Sequence, residues 1–553
     1  MKDSVIQKAA KGLSILFVMK IFSRVIDFVL NILVIQEVEP TIYGLTIHYM
    51  ILTNIVLFYT KMCLKNSYQK RGQKANQSEI VQSAKNMMIF GIGFTIFIGL
   101  ICGAVWYYWY SNLNEHFTQG LACYILACII ESMCEPLLSK FVLNFNYSVG
   151  AKSEAIAVFT KTLFLFFLTK INIFHTLVNF GLSQIFYASM MLLCCLFFGG
   201  YQSLIPSKVE GKNYYITPEM LDMGYQFTVV SVIKLISQEL ERIVLINVKK
   251  DDVKLQSEYL LVSNIGSLVP RYVYAPIEEI NFNLFAKLSQ KSNKHKSEKE
   301  DEITDEKQNL VESKNNSKSK QENEVSRSEE TKIEEKKQLH SEQLDQAKDI
   351  LSKVVKIVNI IGCLAIFFGI PYAKSFLTFL YGSLWNYPAC VLALQAYCVY
   401  EWVMGINGIT EAFVQGTIEK QELQTYRNAI YSSTFFYIIS CYFLVEYGSA
   451  GIILSCILSM ISRISVSSFY IYKKIFNSQM SQLTQFIIAS LPNKIFFIGC
   501  VFSLFVSYYT TQILFPHKPL LQLLIGGGNA GVLLLYLLKV QGREFRQLFG
   551  KQN

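Results

Sequence analysis

Charge is what this sequence has least of. Asp, Glu, Lys and Arg make up 17% of its 553 residues, where a soluble globular chain carries about a quarter. That shortage excludes an ordinary water-soluble domain. The 13 cysteines are odd in number and scattered, with no CxxC and no zinc-ligand spacing, which excludes a disulfide scaffold and a zinc ribbon. Cys123, Cys128, Cys194 and Cys195 fall in apolar runs and read as small hydrophobes. The six histidines form no HExxH or comparable pair, so no metal or other cofactor is expected. A phosphate-cradling GxxxxGK[ST] loop is missing, so ATP is not expected to drive the chain from within. No DxD-like acidic cluster sits on an aqueous loop, and no catalytic constellation is found; an enzyme is not expected. The N-terminus shows no cleavable signal, and the first apolar segment is expected to act as its own targeting signal.

What the chain has is apolar length. Hydrophobic residues make up 52% of it, and its mean hydropathy is +0.31. Runs of roughly 20 apolar residues recur, the length that crosses a hydrocarbon core at about 1.5 Å per residue. The expected fold class is therefore all-α, a polytopic membrane protein. The runs place fourteen spans, at 13–35, 42–60, 87–110, 120–144, 153–170, 177–201, 223–247, 257–284, 350–372, 387–406, 426–446, 450–472, 492–514 and 519–539. Loop charges orient them. The 61–86 loop holds Lys61, Lys65, Lys70, Arg71, Lys74 and Lys85 against Glu79, the 473–491 loop holds Lys473 and Lys474, and the C-terminal tail is basic. Loops on the other side carry Glu37, Glu39, Glu115 and Glu446. Basic loops face the cytoplasm, so both termini are expected there. The 248–256 loop, with three lysines, is the exception.

One segment breaks the pattern. From 289 to 346 the chain turns to Lys, Glu, Ser, Asn and Gln, with 12 basic and 13 acidic residues between Lys291 and His340. That is the composition of a disordered cytoplasmic insert. The sequons at Asn76, Asn146 and Asn315 fall on the same side and are expected to stay unglycosylated. The net charge of +10 thus belongs to the membrane part and is not a nucleic-acid footprint.

Charges inside the spans are costly and usually face a cavity or a partner. In the first span Lys20, Arg24, Asp27 and Asn31 are spaced to share one helical stripe. Lys234, Gln238 and Glu241 do so in the seventh, and Asn264, Ser267, Arg271 and Glu278 in the eighth. Pro270 and Pro276 should bend or break that last helix, as transporters do near binding sites. Bases outnumber acids on these stripes, which points to a hydrated cavity for an anionic ligand. The competing reading is structural ion pairing, such as Arg24 with Asp27 or Glu239 with Arg242. Glu131 and Glu135, followed by Pro136, read as a solvated helix-end pair in preference to ion-coupling carboxylates. Asp27 is either a coupling acid or the partner of Arg24 or Lys20.

Several strings resemble the eukaryotic Rft family: "KIFSRVIDFVLN" (20–31), "SQELERIVL" (237–245), "NIGSLVPRYVYAPIEE" (264–279), "INGITEAFVQGTIEKQEL" (406–423) and "GSAGIILSCILSMISRI" (448–464). The resemblance runs in order along most of the chain, and the strings around Arg271 and Glu411 are the specific ones. It implies a branch of the multidrug/oligosaccharidyl-lipid/polysaccharide exporter superfamily, with two six-helix lobes around a central cavity and a C-terminal helix pair. The expected division is 1–206, 207–480 with the insert, and 481–553. It further implies translocation of a dolichol-pyrophosphate-linked oligosaccharide across the endoplasmic reticulum membrane for N-glycosylation, with other proteins of that pathway and membrane lipids as partners. The family's basic positions fall on Arg24, Lys65, Lys152, Arg271 and Arg463, and its acidic ones on Glu241 and Glu278. The chain departs at "YTKMCLKNSYQKR", where Lys61, Met62 and Lys65 stand for an Arg, Glu, Arg pattern; lysine keeps the charge but loses the bidentate fork. Arg24 and Arg271 are expected to clamp pyrophosphate, with Glu278 orienting Arg271. Two other functions stay open: a non-transporting accessory protein of the same pathway, and a cation-coupled exporter, which a basic cavity suits less well.

Overall fold

The computed structural model describes residues 28–65, 77–143, 148–200, 205–209, 213–279, 281–282, 284–285, 346–418, 420–476 and 478–549. The expected positions Lys20, Arg24 and Asp27, the sequons at Asn76, Asn146 and Asn315, and the acidic–basic insert lie outside them. Where their residues are described, the expected spans from 42–60 onward fall mostly on helix, and no strand occurs among the described residues. Nine helical stretches there are both long and apolar enough to cross a membrane, one of which, Gln424–Ile475, holds two helices. Helix is the outcome because a chain in hydrocarbon must satisfy every backbone group within itself. Large apolar side chains such as Phe197, Phe502 and Phe505 are accordingly exposed, at 83%, 63% and 69%, where lipid would cover them.

Contacts divide the chain into two units, Met1–Leu261 with Leu377–Cys390, and Val262–Phe376 with Val391–Asn553. The first unit holds helices Pro40–Phe58, Gln77–Tyr110, Phe117–Ser132, Cys134–Leu143, Ser148–Ile171, Thr176–Gly199 and Pro218–Val248. Prolines 40 and 218 open two of these helices, where the missing N–H has no intrahelical partner to lose. A stack of Phe117, Tyr49 and Tyr124, with centroids 5.1 and 4.7 Å apart, packs its core. Gly44 lets the start of the helix that begins at Val253 come close: a Cβ there would lie 2.2 Å from the Val253 carbonyl. The Leu377–Cys390 segment joins this unit through fully buried Trp385, set edge-on to Tyr43 at 5.6 Å, and through Gln36 Nε2 donating to the Leu380 carbonyl at 2.6 Å.

The second unit is built from helices Pro388–Thr417, Lys420–Leu444, Gly448–Ile475, Met480–Ser490, Lys494–Tyr508 and Pro519–Phe549, together with a helical run from 346. Its main apolar cluster includes Tyr274, Phe285, Ile409, Phe413 and Phe476. Asn359 ties three elements: its Oδ1 accepts from Trp402 Nε1 at 2.9 Å and its Nδ2 donates to the Ser490 carbonyl at 2.9 Å. The Met480–Ser490 helix corrects the sequence reading, which left 473–491 as a loop. Eleven residues are too few to cross a membrane. They form a helix because Leu483 and Phe486 fall three apart on one face and pack on the main cluster.

The eighth expected span breaks where its prolines suggest. Helix Val253–Gly266 stops, and a wide π-helical turn follows at Pro270–Tyr274. Pro270 offers no N–H and its ring crowds the preceding carbonyls. The turn opens by one residue, and the Ala275 N–H reaches back to the Pro270 carbonyl. A second wide turn spans Tyr59–Leu64 in the first unit and carries Lys61.

Candidate functional site

The wide turn at Pro270–Tyr274 rearranges the stripe read from the sequence. A π turn takes up one extra residue, which rotates everything after it by about one residue's 100° relative to a regular helix. Arg271 and Glu278, seven apart, therefore leave the shared face. Arg271 is exposed, and among the described residues no ion pair joins it to Glu278. Glu278 turns instead to helix Pro388–Thr417. Its carboxylate lies against Gly408, so closely that a Cβ at that position would sit 1.7 Å from Glu278 Oε1.

That approach brings Glu278 and Glu411 to one cavity in the second unit, of about 500 Å³. Its polar lining is Glu278, Glu279, Asn407, Glu411 and Gln415, with Phe282 among the apolar residues. Both oxygens of Glu411 are engaged: Oε2 accepts from Asn407 Nδ2 at 3.3 Å and Oε1 from Gln415 Nε2 at 2.9 Å. Arg463, expected as an anion-binding base, lies 3.9 Å from the same carboxylate. This distance permits charge compensation without a strong hydrogen bond. Asn407 is 6% exposed, and its Oδ1 has no partner. The Asn407 Oδ1 is thus shut away, and the cavity's polar lining is dominated by carboxylates and side-chain amides.

The first unit holds a different charge group. Lys61, on the Tyr59–Leu64 turn, forms an ion pair with Glu131. Glu131 and Glu135 are 5% and 6% exposed, so the expectation of a solvated helix-end pair is corrected. The partner comes from 70 residues away, and a base that distant in sequence is invisible to local spacing. Glu135 interacts with the same lysine electrostatically, and its Oε2 is buried without a hydrogen-bond partner. Nearby on other helices, Lys161 Nζ donates to Gln184 Oε1 at 2.6 Å.

The remaining expected residues are dispersed. Asn31 and Gln238 are exposed, Lys65 and Asn264 half-buried, and Lys152 is exposed with its ammonium 5.9 Å from the Phe198 ring centroid. The side chain of Lys234 lies outside the described residues. Glu241 is half-buried beside Arg242, whose guanidinium bonds Glu239 at 3.0 Å. The Glu239–Arg242 pair is the structural one that i, i+3 spacing suggested, and Asn54 Nδ2 adds a third partner at 2.8 Å. No group of three His, Cys, Asp or Glu side chains that could hold a metal ion occurs among the described residues.

The fold resembles those of solved transporters. The fold is that of the lipid II flippase MurJ in an inward closed conformation, with a TM-score of 0.60 at 14% identity over 95% of this chain and 99% of that one. An inward-facing multidrug resistance MATE family transporter of the MOP superfamily matches with a TM-score of 0.54 at 10% identity, over 82% of this chain and 94% of that one. Among sequence relatives, the Man(5)GlcNAc(2)-PP-dolichol translocation protein RFT1 of Dictyostelium discoideum is 27% identical over 528 residues, covering 89% of this chain and 90% of its own. The protein of the same name from Xenopus tropicalis is 22% identical over 495 residues, covering 85% and 83%. The profile of the Rft protein family matches residues 8–551, and the chain belongs to that family.

Proposed function

We propose that this chain translocates a dolichol-pyrophosphate-linked oligosaccharide across the endoplasmic reticulum membrane, from the cytoplasmic to the lumenal face, as a multi-pass protein with both termini in the cytoplasm. The observation that carries the reading is the near full-length match to relatives that share one translocation name. The fold supports it, because it is one that a lipid flippase uses. The physical task is to move a pyrophosphate with about two charges and a string of hydroxyls through hydrocarbon, which is prohibitive without a polar path. The long polyprenyl tail needs no such help and stays in lipid. Arg271, exposed on a wide helical turn and without an ion pair among the described residues, is a base available to receive pyrophosphate. Arginine suits the task through its planar bidentate fork. In the first span, Arg24 would be the second. No catalysis is required: the substrate leaves chemically unchanged, and alternating access between lobes suffices.

The test is transbilayer movement of the lipid-linked oligosaccharide in vesicles holding the purified protein. Movement above protein-free vesicles is expected, with a loss of about tenfold or more in Arg271→Ala, the scale of one charge-assisted hydrogen bond, and partial retention in Arg271→Lys. Folded wild-type protein that moves no lipid would overturn the reading in favour of an accessory role in the same pathway.

A further inference from the structure

The cavity between the 270–282 segment and helix Pro388–Thr417 has a polar inventory that does not suit pyrophosphate. Three carboxylates line it, Glu278, Glu279 and Glu411. One guanidinium, that of Arg463, stands by at 3.9 Å from Glu411. A dianion placed there would meet like charge on two carboxylates that have no ion pair among the described residues, which is repulsive wherever water is scarce. A bare metal cation fits poorly too. The volume of about 500 Å³ is many times the roughly 30 Å³ of one water molecule, and no three candidate ligands converge among the described residues. It is a volume for a small organic ligand, within the usual range of roughly 300–1,000 Å³.

The vacant positions define that ligand's chemistry. Glu278 and Glu279 are acceptors. The Asn407 and Gln415 amides each have a second N–H beyond the one given to Glu411. In the same lining, Phe282 and Met404 supply apolar surface. Acceptors and donors interleaved beside an apolar wall match a pyranose ring, whose hydroxyls both donate and accept and whose C–H face is apolar. An ammonium would satisfy the acceptors and leave the amide N–H groups idle.

We propose that this cavity is a glycan subsite, which receives neutral sugar rings of the lipid-linked headgroup at a place separate from its pyrophosphate. The inference rests on the translocation reading above and assigns a part of the substrate to the second unit. Glu278 and Asn407 are the binding residues, and Glu411 positions the Asn407 and Gln415 amides through its two hydrogen bonds. Gly408 lets the Glu278 carboxylate reach the cavity wall.

The full-length protein in lipid nanodiscs is probed by saturation-transfer NMR with the free heptasaccharide Man(5)GlcNAc(2), detached from lipid. Saturation is expected to pass to sugar ring protons in the wild type. Glu278→Gln and Asn407→Leu are expected to weaken binding by about tenfold each, the scale of one hydrogen bond to a charged or buried group. Ala275→Trp, at the exposed rim, fills the cavity without touching a buried hydrogen bond and is expected to do the same; it covers the case in which a core variant fails to fold. Sodium pyrophosphate is not expected to compete. No transfer to the sugar in folded wild type, equal transfer in all variants, or displacement of the sugar by sodium ion or tetraphenylphosphonium would each overturn the proposal. Vesicle transport separates this failure from that of the translocation reading. With Ala275→Trp, movement of the full oligosaccharide lipid should slow while a lipid bearing a single N-acetylglucosamine moves as in wild type. Equal slowing of both removes the glycan subsite and leaves translocation standing. A wild type that moves neither lipid removes translocation, and the NMR result still decides what the cavity binds.

Discussion

Two wide helical turns, Tyr59–Leu64 in the first unit and Pro270–Tyr274 in the second, each carry one base, and the two bases end in opposite situations. Lys61 is committed: Glu131 holds it, and Glu135 adds a second negative charge. Arg271 is exposed, with no ion pair among the described residues, and the acid expected to hold it has turned to Gly408. The same local device therefore serves two ends. A base locked between buried carboxylates is structural, because breaking it strands charge in a low dielectric. A base left without an ion pair is available to a ligand. Charge within a membrane span marks importance in both cases, but only its pairing tells which kind.

The sharpest way to break this comparison is to remove Lys61. Lys61→Met leaves Glu131 and Glu135 buried without a base and is expected to destabilise the protein by about 3 kcal/mol, the low end of the effect of removing one partner of a buried pair, because the Lys61 side chain is itself 38% exposed. Thermal unfolding in detergent reads it. The double variant Lys61→Met with Glu131→Leu should recover much of the loss; no recovery would mean that Lys61 does more than neutralise Glu131. As a control, Lys170 and Glu37 form a pair whose side chains are 50% and 47% exposed, and Lys170→Met is expected to change stability by no more than about 1 kcal/mol.

A smaller effect is expected at Gly408. Gly408→Ala places a methyl on the Glu278 carboxylate, so the acid must move. The expected destabilisation is about 1–3 kcal/mol, as for other overpacked sites, with a loss of glycan binding that exceeds the change in melting temperature. If glycan binding were kept, the placement of Glu278 at the cavity wall would be irrelevant to the ligand.

The smallest effect concerns pH, at a group outside the spans. His175 caps helix Thr176–Gly199 by accepting the Leu177 N–H at Nδ1, 3.3 Å away, and stacks on His116 at 4.3 Å. An imidazole protonated at Nδ1 cannot accept. Burial, with His116 adding to it, pushes the His175 pKa below its ordinary 6.5. A lowered value in the fold means that the cap's contribution is full above the unfolded value near 6.5 and is lost as pH falls through the folded one. His175→Ala should cost about 1 kcal/mol at neutral pH and nothing further once the wild type has lost its cap in acid. A constant difference across pH would show that Nδ1 does not act as the acceptor.

Legibility in the sequence followed the range of the interaction. The spans were readable because twenty apolar residues in a row have one low-energy solution in hydrocarbon, and the break at Pro270 was readable because a missing N–H is a local fact. The Glu239–Arg242 pair, three residues apart on one helix, was equally local. The Arg271–Glu278 stripe failed although its arithmetic was sound, since the π turn between them changes the rotation per residue. Local spacing suggests solvated groups at Glu131 and Glu135 because their partner Lys61 stands 70 residues earlier. The Met480–Ser490 helix escaped notice because it is too short to span and is held by packing on the main cluster.

By itself, then, the sequence determined the solvent this protein lives in, the helical class, the family, and which residue types were unusual for their surroundings. Those follow from composition and from spacing within a turn or two of helix. Which charges neutralise one another and which stay open was decided only by the tertiary structure. Electrostatic energy depends on distances of a few ångströms between groups that the chain brings together from far apart, and one added residue in a turn is enough to redirect them.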